Sequence, residues 1–133
     1  NSETFVFGGN VKGFSCSDNL AFDKNGNLWV CSDMSGKSIG KEPYQAYGNN
    51  GLFIIPASGP QAGIPVQVAS GPVDCELTGL CFSPDSKTLF LSVQHPGENS
   101  KDMDNLTSKW PDGEIPKSSV VAITGDLLER ITQ

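Results

Sequence analysis

The sequence predicts an all-β protein: two four-stranded antiparallel sheets of the β-propeller blade kind, forming a fragment of a larger, six-bladed propeller. Three observations predict it. The apolar runs are short, such as Leu77–Phe82 and Leu89–Val93, and rich in Phe, Leu, Val and Thr, which suits strands rather than helices. Turn formers punctuate them, with 15 glycines and 9 prolines in 133 residues. Finally, the same order of runs and turns is written twice, Phe22 preceding Phe82 by 60 residues and Leu28 preceding Leu89 by 61. Propeller repeats run to roughly 40–50 residues, and the excess fits a loop insertion.

Thr4–Phe7 reads as a strand of a preceding blade, and the polar, glycine-containing segment Asn10–Ser17 as a loop. Blade one then occupies residues 18–70. Asp18–Asp23 and Asn27–Asp33 flank Lys24-Asn25-Gly26, and Asn-Gly between apolar runs is a strong hairpin signal. The polar stretch Met34–Asn50 leads to the strand Gly51–Pro56, and the Pro/Gly-rich turn Ser58–Ile64 to the strand Pro65–Ser70. Blade two occupies residues 76–133. Its first hairpin is Leu77–Phe82 and Leu89–Val93 about Pro84-Asp85-Ser86-Lys87, where Pro presets φ and Asp or Ser hydrogen-bonds the local backbone. Ser119–Thr124 and Leu127–Thr132 are its third and fourth strands.

Loop lengths separate the two ends of this scaffold. Within each unit the first and third connections are short, whereas the second is long: Met34–Asn50 and His95–Ser118. In an up-and-down sheet these long loops share one end with the entrance to the first strand, which lines the central channel. Binding groups concentrate on loops held by a rigid scaffold, so function is expected there.

Composition narrows the partners. A net charge of −6 disfavours nucleic-acid backbones and anionic membranes and suits cations. Arg130 is the only arginine, so a phosphate site of guanidinium forks is incomplete here unless lysines, a metal or another chain supply the positive charge. No run is long and apolar enough to span a membrane, and there is no signal peptide. The chain opens on Asn1 rather than Met and leaves blade faces uncovered, so a piece of a longer protein is expected, or one that self-associates through uncovered blade edges. Cys16, Cys31, Cys75 and Cys81 match no zinc spacing. Cys31 and Cys81 fall inside apolar strand patterns and read as buried free thiols, with at least one disulfide as the alternative.

The candidate functional groups lie at the channel mouth. Asp18 stands four residues before Phe22, Thr78 four before Phe82, and Glu76 two further out on the same side, given the two-residue period of a strand. Asp18 and Glu76 become neighbouring carboxylates, which stay ionised together when a cation or hydrogen-bond donors compensate them. A hard, calcium-like ion with oxygen ligands fits. The alternatives are a turn-capping Asp18 and a solvated Glu76. His95, the only histidine, reads as pinning the Pro96-Gly97 turn through its ring nitrogens, or else as a ligand or acid–base group beside Glu98. Asp33 reads as a tether for its loop. Asp102, Asp104, Asp112 and Glu114 lack EF-hand spacing and read as a solvated acidic loop, with Trp110 folded onto the blade. Asn105-Leu106-Thr107 fits a glycosylation sequon. No nucleophile elbow, phosphate loop or dinucleotide fingerprint is present.

Several blocks carry a family resemblance: Asp18–Asp23 with Asn27–Val30, Glu76-Leu77-Thr78-Gly79, Ser83-Pro84-Asp85, Thr88–Ser92, Gln94-His95-Pro96-Gly97-Glu98, Trp110-Pro111-Asp112 and Ser119–Val121. Together they resemble the C-terminal part of the PhoX-type secreted bacterial alkaline phosphatases across nearly the whole chain. The resemblance implies a propeller that hydrolyses phosphomonoesters with Ca2+ and Fe3+ at the channel mouth, secreted or periplasmic. It further implies that Glu76 ligates the metals, with Asp18 a second candidate on the next blade and Thr78, His95 and Glu98 supporting them. The family's cysteine ligand to iron has no counterpart motif here, which implies a chain inactive in isolation. A calcium-dependent lactonase-type hydrolase and a non-catalytic binding module are the competing readings.

Overall fold

The computed structural model describes residues 2, 3, 5, 6, 8, 9 and 13–132. Seven strands form two antiparallel meanders, β1 (Ser17–Phe22), β2 (Leu28–Ser32), β3 (Gly51–Ile55) and β4 (Val66–Ser70) in one sheet, and β5 (Glu76–Phe82), β6 (Thr88–Gln94) and β7 (Ser119–Thr124) in the other. In each sheet, neighbours in sequence are neighbours in space. This is the all-β, duplicated-blade architecture expected from the repeat.

Strand alternation explains how the sheets meet. From the first sheet Trp29, Cys31, Leu52 and Ile54 turn to one face; from the second, Leu77, Leu89, Leu91 and Val93 turn toward them. All eight are at most 6% exposed. Trp29 meets Phe82 edge-on across this interface, ring centroids 5.5 Å apart. The intervening residues of β2 and β3, Val30, Phe53 and Ile55, pack with Phe14 on the opposite face. Two buried faces are why β2 and β3 read as unbroken apolar runs. The second sheet buries only one, leaving Phe90 and Val120 exposed opposite it.

Two expectations need correction. Leu127–Thr132 is not a fourth strand: residues Asp126–Ile131 form a short helix, α1. Asp-Leu-Leu-Glu-Arg-Ile contains mostly good helix formers, with acids in the first turn and Arg130 in the last, matching the helix dipole. Leu128 and Ile131, three apart, pack on the core, so the apolar period was helical. Cys81 is exposed, not buried, because it lies with Phe90 on the uncovered face, opposite it in the ladder. The expected strand Thr4–Phe7 has both of its ends outside the described residues.

Trp110 packs against the main core, as expected. Among the described residues all four cysteines are free, Cys31 and Cys75 buried. No described helix is long and apolar enough to cross a membrane.

Candidate metal centre

Both innermost strands are broken at corresponding places. The pairing of β1 with β2 slips between Ser17 and Leu20, and that of β5 with β6 between Thr78 and Cys81. Each slip fits one extra residue on the inner strand, a bulge, which re-aims the side chains beside it. Gly79 adopts φ 67° in the second irregularity, a conformation open to glycine at little steric cost. Its amide donates to Asn19 Oδ1 at 3.1 Å, joining the two irregularities across the sheets. Asn19 also donates through Nδ2 to Asp18 Oδ2. Asp18 is thereby held by its sequence neighbour at the end of the molecule where the long loops emerge.

Asp33 follows the last residue of β2. Its amide donates to Cys16 O at 2.8 Å, extending the ladder beyond the Ser17–Ser32 pair and setting its side chain beside Asp18. Glu76 opens β5, opposite Gln94. One carboxylate oxygen each from Asp18, Asp33 and Glu76 lie within 4.8 Å of one another. This is the only group of three or more potential ligand side chains found among the described residues. Asp18 and Asp33 are exposed and Glu76 half-buried, so the group opens to solvent.

His95 borders this cluster. Nε2 is 3.4 Å from Glu76 Oε2 and Nδ1 3.1 Å from Glu98 Oε2. Glu98 in turn accepts the Gly36 amide on Oε1 at 3.2 Å, and a side chain at position 36 would run into that oxygen. Through Nδ1 the ring spans the Pro96-Gly97 turn, whose ends are also joined by the Glu98 amide donating to His95 O at 3.1 Å. The ring also joins two carboxylates, one of which ties to the long loop of the first sheet. The backbone at His95 is fixed separately, its amide donating to Ser118 Oγ at 2.9 Å. Thr78 is buried on β5 opposite Ser92.

Below the cluster, burial pushes the Cys31 thiol up to about 12, and the nearby Asp18, Cys75 and Glu76 push the same way. A neutral thiol is a poor metal ligand. The acidic residues of the second long loop stay outside the group. Asp102 Oδ1 accepts the Asp104 amide at 3.0 Å and Asn105 Nδ2 at 2.7 Å. The hydrogen bond from Lys117 holds the exposed Asp112 carboxyl below its ordinary range.

Asp18 and Glu76 were the pair expected at the channel mouth, and they do meet. Asp33 was assigned only to its loop, and it joins them. An unbroken strand ladder gives no signal for it: Asp33 lies opposite Cys16, and it is the slip between Ser17 and Leu20 that brings Asp18 beside it.

Two blade sheets presenting a carboxylate cluster at one loop-bearing end define a blade-type scaffold protein with an acidic site. Residues 4–97 match the family model described as alkaline phosphatase PhoX. The chain belongs to that family. Among solved structures it is similar to one described as Pseudomonas fluorescens PhoX in complex with vanadate, a transition state analogue, with 39% identity and a TM-score of 0.62. That match covers 81% of this chain and 17% of the other, so the likeness spans a small part of the larger protein. No curated protein matches the chain.

Proposed function

We propose that this chain supplies a metal-holding edge of a PhoX-type phosphomonoesterase, built as part of a larger six-bladed propeller that is secreted or periplasmic. The carrying observation is the meeting of Asp18, Asp33 and Glu76 within 4.8 Å, contributed by both sheets of a chain in this family. The vanadate bound by the related Pseudomonas protein supports a phosphomonoester as the substrate class.

The donor set fits a hard cation. Calcium takes oxygen ligands at roughly 2.3–2.6 Å with flexible geometry, and small rotations of these carboxylates would accommodate it. Ferric iron is also satisfied by carboxylate oxygen, and Asp18, Asp33 and Glu76 would hold either ion. A bound ion would neutralise charge on a phosphoryl group and orient it for displacement. The chain's own residues do the rest: Asn19 steadies Asp18, and His95, itself steadied by Glu98, faces Glu76. No arginine stands at this end to clamp phosphate with a guanidinium fork. Arg130 lies in α1, whose C-terminal Thr132 carbonyl accepts Asn25 Nδ2 from the β1–β2 turn, at the end away from the carboxylates. That supports inactivity of the chain alone. The free outer edge of β7 and the exposed Phe90 and Val120 support self-association, which sedimentation velocity reads.

Calcium titration by calorimetry, followed by assays with p-nitrophenyl phosphate and with lactones, tests the reading. Binding heat that Glu76→Gln abolishes is expected, without turnover by the chain alone. Absence of heat would favour a non-catalytic module. Lactone hydrolysis would favour the lactonase class, and vigorous phosphatase turnover would overturn the proposed inactivity.

A further inference from the structure

Asn50 is 1% exposed and immediately precedes β3. Its carboxamide uses its full hydrogen-bonding capacity of two donors and two acceptor sites. Oδ1 accepts Ser32 Oγ at 3.2 Å and the Met34 amide at 2.6 Å. Nδ2 donates to Met34 O at 3.0 Å and to Cys75 O at 2.9 Å. Ser32 and Met34 are the residues on either side of Asp33, and Cys75 is the residue before Glu76. One side chain thus grips the neighbours of two of the three carboxylates, and those two come from different sheets.

The surrounding backbone reinforces the grip. Gly71 donates its amide to Asn50 O at 2.8 Å. Asn49 Nδ2 donates to Gly71 O and Pro72 O, each at 2.8 Å. The linker between the sheets is therefore fastened to Asn49-Asn50 at both its start and its end. Ser32 Oγ also accepts the Gly51 amide at 2.9 Å, locking the acceptor side of the carboxamide to the ladder.

We propose that Asn50 is the positioning residue of the carboxylate cluster, setting the separation of Asp33 from Glu76 across the sheet boundary. For metal affinity, this rests on the cluster being the cation site proposed above. A buried amide that only stabilised the fold would lower the melting temperature when removed and leave the affinity of the remaining protein unchanged. A positioning amide lowers both, because Asp33 and Glu76, once the segments that carry them are unfastened from one another, no longer share an ion.

The test compares Asn50→Ala with Asp23→Asn, which disrupts a buried polar network at the opposite end of the first sheet. Calcium affinity is measured by calorimetry at a temperature where both variants are folded, and the Asn50→Ala crystal structure is determined without metal. A loss of calcium affinity of about tenfold or more is expected for Asn50→Ala, against less than about twofold for Asp23→Asn, with Asp33 and Glu76 moved apart in the crystal. Equal affinities, or carboxylates that stay in place, would overturn the proposal. If the unaltered chain gives no calcium heat, the metal reading fails, and the crystal positions alone decide the role of Asn50. Should Asn50→Ala not fold, Ser32→Ala removes one bond to the same carboxamide and is read by the same two measurements.

Discussion

His95 Nε2 lies 3.4 Å from Glu76 Oε2 while Nδ1 lies 3.1 Å from Glu98 Oε2, so one imidazole links the carboxylate cluster to the loop that reaches Gly36. The His95 side chain is 45% exposed, and pairs of this kind contribute about 0–1 kcal/mol. His95→Ala should therefore change global stability by less than about 1 kcal/mol. A double-mutant cycle with Glu76→Gln in urea melts should still give a favourable coupling of about 0.2–1 kcal/mol. Zero coupling would mean that the contact is geometric only.

The three carboxylates make a prediction whose sign depends on calcium. Like charges about 4–5 Å apart repel by about 1 kcal/mol where water screens them. In chelator, Asp33→Asn should accordingly raise stability by up to about 1 kcal/mol. With calcium at a hundred times its dissociation constant, the unaltered chain should gain about 2.7 kcal/mol and the variant much less. The order of the two denaturation midpoints then reverses between chelator and calcium. Midpoints that keep the same order in both conditions would remove the cation from the site.

Asp23 is a buried carboxylate, 6% exposed, that fastens the first hairpin. It accepts Trp29 Nε1, the Asn25 and Asn27 amides and Asn27 Nδ2, at 2.9–3.0 Å. Asp23→Ala leaves the buried indole N–H without its acceptor, and charged hydrogen bonds contribute about 1.5–3 kcal/mol. A loss of about 2–4 kcal/mol in chemical denaturation is expected, with a smaller loss for Asp23→Asn, which keeps the shape and one acceptor. A loss below about 1 kcal/mol would show that water replaces the carboxylate.

This turn also shows what was readable before any coordinates. Asn25-Gly26 between apolar runs fixed the first hairpin, and Pro84-Asp85-Ser86 the equivalent one, because turn chemistry is local. Glu76 and Asp18 were readable as neighbours because the repeat aligns them. Asp33 and Asn50 were not, since their roles depend on the bulged register near Ser17 and on how the linker at Gly71–Cys75 folds back, both tertiary facts. The helix over Asp126–Ile131 was misread because a six-residue apolar pattern supports either period, and the repeat argued for a strand. Cys81 failed for a related reason: an apolar run does not reveal which of its faces is covered.

The buried thiols give a pH dependence. Burial pushes both Cys31 and Cys75 up to about 12, and nearby acidic groups add to it. An unfolded thiol ionises near ~8.5, so above that pH the unfolded chain releases protons that the folded chain keeps. Stability should be insensitive to these groups below pH ~8 and fall with rising pH until about 12, where the folded thiols ionise as well. Denaturant midpoints measured from pH 7 to 10 for the unaltered chain and for Cys31→Ala with Cys75→Ala check this, the double variant showing the shallower decline. In the folded state at pH 8, iodoacetamide should label the exposed Cys81 and spare Cys31 and Cys75, because the reactive species is the thiolate. Rapid labelling of Cys31 or Cys75 under these conditions would mean that the interface between the two sheets opens far more readily than its packing allows.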